Sequence, residues 1–241
     1  MTTDSGPPLP VTVVVPTRHE AGNIAPLLAR MPQVDKVLFV DDSDDDTAEV
    51  IQLAAADASV KVELLHRPPA ERTGGLSGAV VAGLALVESP WMCVMDGDLQ
   101  HPPEVVAKLV ERATDDIDLV VASRKNWESI NEGLGPVRRL VSWGLGWVAR
   151  SLLRSRIGSC SDPLSGFFMV RTTALRPEAL NPTGFKILLE ILVTHPDLRR
   201  AEVGFAFAKR GSGESNGSVR EALRYLRHVV RLRRRLRAES R

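Results

Sequence analysis

Trp91-Met-Cys-Val-Met-Asp96-Gly-Asp98-Leu-Gln100-His101-Pro-Pro-Glu104 is the stretch on which the reading of this chain turns. The apolar run Trp91 to Met95 predicts a short buried strand. It stops at two aspartates separated by one glycine. Pro102 to Arg112 then shows a helical pattern, with proline tolerated in the first turn. Asp96 and Asp98 are therefore expected just past a strand's carboxyl end, where open α/β sheets bind ligands. Gly97 is read as the pivot that lets both carboxylates face one point. Two hard oxygen donors suit Mg²⁺ or Mn²⁺, usually shared with a substrate's phosphates. A solvated strand-end loop has the same composition, so the rest of the chain has to decide.

Upstream, Val11 to Val15 is a β-branched run, expected to be a buried parallel strand. Pro16-Thr17-Arg18-His19-Glu20 follows, then a helix from Ala21 to Arg30. Val37 to Val40 is a second strand, ending in Asp41-Asp42-Ser43, and Thr47 to Ala56 the next helix. Val60 to Leu65 is a third strand, and Gly74 to Val87 an apolar helix expected to be buried. Downstream of the opening stretch, Ile117 to Ala122 reads as a strand ending in Ser123-Arg124. Strands alternating with helices predict βαβ units and a mostly parallel sheet. The loops at the strands' carboxyl ends then line one crevice with carboxylates and an arginine. There is no GxGxxG and no Walker loop, so neither a dinucleotide nor a P-loop triphosphate is indicated.

Past Arg124 the character changes. Val137 to Ile157 alternates apolar and basic residues and carries Trp143 and Trp147. That is the profile of helices lying in a membrane interface; a helix packed on the sheet with Arg outward fits as well. Asp162 to Arg171 reads as a loop then a strand, Gly184 to Ile191 as helical, and Glu202 to Phe207 as a strand. Arg210 to Asn216 is a polar, glycine-rich loop able to bring N–H groups and one cation to phosphate, or simply a solvated turn. Val219 to Arg237 is a helix, with Ser218 and Glu221 spaced as a capping box. Its basic face suits anionic lipid, nucleic acid, a partner helix or plain solvent.

The length of 241 residues and an apolar fraction of 44% allow one α/β domain or two small ones. The net charge of +1 carries no steering argument, but residues 218–241 hold nine Arg against two Glu, while residues 41–46 hold five Asp. Cys93 and Cys160 have no metal spacing, and a reducing compartment fits them. Residues 1–10 look like a disordered lead-in with no signal-peptide pattern. No run approaches the ~20 apolar residues of a spanning helix.

With these loops in place, the chain resembles the polyprenyl-phosphate sugar synthases of glycosyltransferase family 2, the family of dolichol-phosphate mannosyltransferase. The matching stretches are Val13 to Thr17 with Glu20 and Asn23, Val40 to Ser43 with Asp45 and Thr47, and Gly75-Leu76 with Ala79 and Gly83. They continue with Asp96-Gly97-Asp98, Gln100 and Glu104, then Ala122 to Arg124, Asp162 with Ser165 to Phe167, Gly184-Phe185 with Glu190, and Arg210 with Gly213 to Ser215. They run in the family's order over residues 11–220. The resemblance implies an α/β chain of the GT-A fold, its mostly parallel sheet flanked by helices, with basic amphipathic helices after the core. It implies a catalytic domain over 11–216, in which 136–157 form the membrane-interface helices, and a basic helix over 217–241.

The resemblance also implies roles. Pro16, Thr17, Glu20 and Asp42 should hold the base and ribose of a nucleotide sugar, whose binding set also includes Ser43, Gly75, Asp96, Gly97 and Asp98. Asp96, Asp98 and Gln100 should hold Mg²⁺ or Mn²⁺ against its diphosphate. Arg124 and Arg210 should meet donor or acceptor phosphate, with Asp98 the third residue of the catalytic set. Arg139, Ser165 and Ser215 belong to the acceptor-phosphate end and its loop. His101 is expected to orient the metal loop, an acid/base role being the alternative. Arg18-His19 departs from the family's usual aromatic–Asn pair, Asn216 stands where many members carry Lys, and residues 41–46 form a loop one residue shorter. The expected reaction is inverting transfer of mannose from GDP-mannose, or of glucose from UDP-glucose, to a polyprenyl phosphate. It is expected on the cytoplasmic membrane face, without nucleic acid and with room for a separate membrane anchor subunit. Transfer to a non-lipid acceptor keeps the fold, and a non-catalytic binding protein of membrane or nucleic acid is the reading from another class.

Overall fold

The computed structural model describes residues 7–124, 151–182, 186–206 and 219–239, with side chains of the last stretch described for 225–236. Seven strands form one sheet: β1 (Leu9–Thr17), β2 (Val34–Asp41), β3 (Val62–His66), β4 (Trp91–Val94), β5 (Leu119–Ser123), β6 (Phe168–Arg171) and β7 (Arg200–Gly204). Their order is β3-β2-β1-β4-β6-β5-β7. All pairs are parallel except those of β6, which runs antiparallel between β4 and β5.

The β-branched runs sit at the centre because both faces of the sheet are covered. Alternate side chains go to opposite faces. Val11, Val13, Val15, Val37, Phe39, Cys93 and Met95 pack under α1 (Ala21–Ala29), α2 (Thr47–Asp57) and α4 (Val105–Arg112). Val14, Leu38, Val40, Met92 and Val94 pack against α3 (Gly75–Leu84), α5 (Ile187–Thr194) and α6 (Val219–Glu239). Helix α3 sits close on β1 and β2: a Cβ on Gly83 would lie 2.8 Å from Val14 Cγ1 and 3.0 Å from Val40 Cγ2. Both cysteines are buried and free.

Some boundaries differ from the sequence reading. β1 begins inside the expected lead-in, because the Leu9 N–H bonds the Gln33 carbonyl at 2.8 Å where β2 starts. The prolines of the opening stretch precede α4. The Val105 N–H turns back onto the Pro102 carbonyl at 3.0 Å, and the helix starts only there. Most of the expected interface stretch lies outside the described residues. Residues 151–157 are helical, with Leu153 and Ile157 buried. Arg200 satisfies the exit of that helix, donating to the Ile157 carbonyl at 2.8 Å and to that of Arg156 at 3.1 Å.

Helix α6 is fastened through its own arginines. Tyr225, Val229 and Leu232 are buried, while Arg231 and Arg235 donate to the carbonyls of Asn181 (2.7 Å) and Ala179 (2.8 Å). Leu226, Arg227, Val230 and Arg234 are exposed. Among the described residues, no helix is long and apolar enough to cross a membrane.

Candidate active site

The parallel strands β1, β2, β4 and β5 end at one edge, and their loops form the site. At its β1–β2 end Asp41, fully buried, is the hub. It accepts the Thr17 hydroxyl at 2.9 Å and the Ser43 hydroxyl at 2.5 Å, and its other oxygen meets His66 Nδ1 at 2.8 Å. Asp42, the residue singled out in sequence, has both oxygens engaged by Arg67: Nε at 2.8 Å and Nη2 at 2.5 Å. Such a forked pair is rigid and directional. Arg67 escaped the sequence reading because it belongs to no local motif; its one signal is its place just past β3. The 16–20 loop is pinned across to β2. The His19 N–H donates to the Ser43 hydroxyl at 2.9 Å, the Glu20 N–H to Thr47 Oγ1 at 3.2 Å, and His19 Nδ1 lies 3.2 Å from Asp45. Gly75 opens α3 nearby with φ +58°, and its carbonyl accepts Arg67 Nη2 at 3.4 Å.

Beyond β4, Asp96 is partly exposed and Asp98 buried. Asp98 Oδ1 accepts the Gln100 N–H at 3.1 Å. The left-handed residue of this turn is Leu99, at φ +63°, and not Gly97 as the sequence suggested. Gly97 is required by space instead: a Cβ there would meet Thr17 Cγ2 at 3.3 Å and Val15 Cγ1 at 3.4 Å. Strain held at Leu99 is characteristic of a functional loop. His101 is buried, stacked on Phe167 with centroids 5.0 Å apart and edge-on to Phe205 at 5.7 Å. Its Nδ1 accepts the Asp96 backbone N–H at 2.9 Å. Burial pushes its pKa down to about 3 against the pull of Asp98. The ring is thus neutral at ordinary pH and holds the backbone of the aspartate loop, as expected for an orienting residue.

Two cations lie near Asp96. Arg124, at the end of β5, donates from Nε to Asp162 Oδ2 at 2.7 Å and from Nη2 to Oδ1 at 2.9 Å. Burial pushes the Asp162 carboxyl up, but hydrogen bonding and charge from Arg124 outweigh it and leave the group below the usual carboxylate range. Lys186, at the entrance to α5, donates to the Leu164 carbonyl at 3.0 Å. Burial, with Arg124 nearby, lowers its pKa to about 8, while Asp96 and Asp162 act to raise it. Sequence reading placed Lys186 in a helix without a role; only the fold brings it to the crevice. Ser165, expected at the acceptor end, is buried: its hydroxyl donates to the Ala122 carbonyl at 2.8 Å and accepts the Phe167 N–H at 3.1 Å. These bonds fasten the loop to β5. Gly166 lies against Asp96, where a Cβ would be 3.1 and 3.3 Å from the carboxylate oxygens. Arg139, Arg210 and Ser215 lie outside the described residues.

Among the described residues no group of three His, Cys, Asp or Glu side chains is arranged to cage a metal. Asp96 and Asp98 supply hard oxygens from one short loop. That fits Mg²⁺ or Mn²⁺, which bind through one or two carboxylates and complete their shell with phosphate and water.

Residues 12–180 match the family model described as glycosyl transferase family 2. The chain belongs to this family. Among curated family members, it is 37% identical over 228 residues to the dolichol-phosphate mannosyltransferase of Pyrococcus furiosus, covering 92% of this chain and 63% of that protein. It is 35% identical over 237 residues to the enzyme of the same name from Saccharomyces cerevisiae, covering 92% of this chain and 86% of that one. The chain thus spans less than two thirds of the archaeal protein and most of the yeast one. Among solved structures, glucosyl-3-phosphoglycerate synthase of Mycobacterium tuberculosis, crystallised with Mn²⁺, UDP-glucose and phosphoglyceric acid, superposes with a TM-score of 0.67 at 19% identity, covering 92% of this chain and 79% of that one. Mannosyl-3-phosphoglycerate synthase of Rubrobacter xylanophilus gives 0.62 at 20%, covering 96% and 75%. Together with the observed sheet, these identify the GT-A-like α/β architecture of family 2.

Proposed function

We propose that this protein transfers a hexose from a nucleotide sugar to a polyprenyl monophosphate with inversion, mannose from GDP-mannose being the favoured donor. The observation that carries the reading is the convergence of Asp96 with two cations, Arg124 and Lys186, at the carboxyl edge of the sheet. It is supported by the names of the relatives, which match nearly the whole of this chain.

In this reading Pro16, Thr17, Glu20, Ser43 and Gly75 hold the nucleoside, with Asp42 fixed by Arg67. Asp96 and Asp98, with Gln100, hold the divalent cation, whose chemistry is to neutralise the departing diphosphate. Arg124 and Lys186 add fixed positive charge where negative charge develops. A lipid phosphate is already ionised near pH 7, its second pKa being ~6. It attacks the anomeric carbon from the face opposite the diphosphate, forming the new C–O bond as the old one breaks with its electron pair on the leaving oxygen. No general base is needed, which suits a site where His101 is neutral and buried. Arg210, Arg139 and Ser215 are assigned to the acceptor phosphate and its loop on the family resemblance. The exposed apolar and basic positions of α6, with the stretch 136–157, are assigned to an anionic membrane surface on the cytoplasmic face.

The test is purified protein with Mg²⁺ or Mn²⁺, a short-chain polyprenyl phosphate and labelled GDP-mannose or UDP-glucose in parallel. Organic-extractable label from GDP-mannose supports the proposal. Label from UDP-glucose alone corrects the sugar, and label only in a water-soluble product overturns the lipid acceptor.

A further inference from the structure

The last residues of three neighbouring parallel strands form a row across the carboxyl edge of the sheet. Thr17 ends β1, Asp41 ends β2 and His66 ends β3, and the register sets Thr17 beside Asp41 and Asp41 beside His66. Residues in register on adjacent strands carry their side chains on one face. The row is joined through its middle member. Asp41 is fully buried; its Oδ1 accepts the hydroxyls of Thr17 and Ser43, and its Oδ2 lies 2.8 Å from His66 Nδ1. His66 is the member that reaches outward, with 43% of its side chain exposed.

This pairing fixes what the imidazole can do. A carboxylate offers only lone pairs, so the Nδ1 that faces it carries the hydrogen and donates it. In the neutral ring Nε2 is then a bare acceptor, on the side turned away from Asp41. It makes no hydrogen bond to the described residues. Asp41 and His66 together therefore present an acceptor of fixed tautomer beside Thr17 and Ser43, at the end of the crevice assigned to the nucleoside. We propose that His66 is a specificity-determining residue whose Nε2 accepts the imide N–H of a keto nucleobase, N1–H of guanine or N3–H of uracil. Adenine and cytosine carry a bare ring nitrogen at that edge, which would set acceptor against acceptor. The dyad thus selects guanine and uracil nucleotides as a class and does not choose between them. The inference rests on the reading of the crevice as a nucleotide-sugar site.

The experiment is calorimetric titration of the full chain in Mg²⁺ buffer with GDP, UDP, ADP and CDP, and with the 2′-deoxy form of whichever of GDP and UDP binds. It compares wild type, His66→Asn and His66→Gln, each checked by a thermal melt. Wild type is expected to bind GDP or UDP at least about tenfold more tightly than ADP and CDP, the scale of one hydrogen bond replaced by an unpaired acceptor. His66→Asn keeps a donor for Asp41 and removes the outward acceptor. It should lose about tenfold on GDP or UDP and little on ADP and CDP, so that the preference shrinks. His66→Gln carries an amide that can accept or donate, so it should hold GDP or UDP within several-fold and bind ADP or CDP more tightly than wild type does. A role confined to holding Asp41 would weaken all the nucleotides alike in both variants, and that pattern overturns the inference. Wild type that binds ADP or CDP as tightly as GDP and UDP overturns it whether or not the variants fold. If His66→Asn keeps the base preference but loses the preference for ribose over 2′-deoxyribose, Nε2 meets the ribose hydroxyl and the base assignment is overturned. Wild-type affinities unchanged in both variants sink this inference alone. Folded wild type that binds none of the nucleotides overturns the nucleotide-sugar reading and this inference with it.

Discussion

Gly166 leaves little room for a side chain between the 162–166 loop and the aspartate loop. Its Cα is packed against Asp96 and His101, so Gly166→Ala must displace one of them. The expected result is a modest stability loss of about 1–3 kcal/mol, as for other overpacked sites, with a much larger fall in transfer rate and a shift to higher Mn²⁺ demand. Thermal melts beside a metal titration of activity check it; unchanged metal demand would show that Asp96 tolerates the shift. Lys186 makes the complementary case. Its ammonium is partly desolvated, and its charge is lost as pH rises through about 8. Transfer should therefore decline on the alkaline side near that value, and Lys186→Met should lose on the order of a hundredfold, the scale of one preorganised electrostatic contact, without loss of melting temperature. Lys186→Arg, which stays charged, should carry activity to higher pH; an alkaline limb identical in Lys186→Arg would assign the titration to another group.

Among the elements, α3 is the one whose position depends most visibly on a missing side chain. Gly83 lets it sit on β1 and β2, so Gly83→Val should cost about 1–3 kcal/mol by pushing helix from sheet, read as a lower urea midpoint with an unchanged slope. Elements of this kind were largely legible in sequence. The β-branched runs at Val11 to Val15 and Val37 to Val40 announce buried parallel strands, and the loops after them announce the crevice. What was hidden is what periodicity does not carry. Phe168 to Arg171 reads as a strand, but nothing in four residues says that it runs antiparallel between β4 and β5. Asp42 stood out in sequence as a candidate, yet its partner Arg67 and the hub role of Asp41 arise only when β2 and β3 pair. Lys186 and Asp162 were visible as residues, but their meeting depends on the 162–166 loop crossing the sheet edge. Ser165 was legible as part of its motif, but the bond of its hydroxyl to the Ala122 carbonyl arises only in the fold.

For the whole molecule, three buried histidines tie stability to pH: His195, lowered by burial and the charge of Arg176, and, with larger shifts, His101 and His228. His101 holds the aspartate loop, and His228 seats α6 on α5, its Nε2 3.9 Å from Glu190 Oε2 and its Nδ1 3.2 Å from Arg231. Burial pushes His101 down to about 3, and burial with the charge of Arg231 pushes His228 down to about 4. Both are bases whose folded values lie below the usual 6.5, so the unfolded chain binds protons that the native state refuses. Stability is therefore lost as pH falls from 6.5 toward 4, at up to about 1.4 kcal/mol per pH unit for each histidine. Glu190 acts in the opposite sense. Burial raises its pKa above the ordinary carboxylate value, so the penalty of burying its charge is relieved as pH falls toward 4.5. Asp162, held low, begins to lose its contribution only below about pH 4. The buried histidines outnumber the one opposing carboxyl, so the wild-type melting temperature should fall as pH is lowered from 6.5 to 5. His228→Gln cannot titrate and keeps an acceptor for Arg231. It should flatten that slope by up to the share of one proton, while Glu190→Gln, which removes the opposing group, should not flatten it. Equal pH slopes in wild type and His228→Gln would place the acid sensitivity elsewhere, with His101 the next residue to replace.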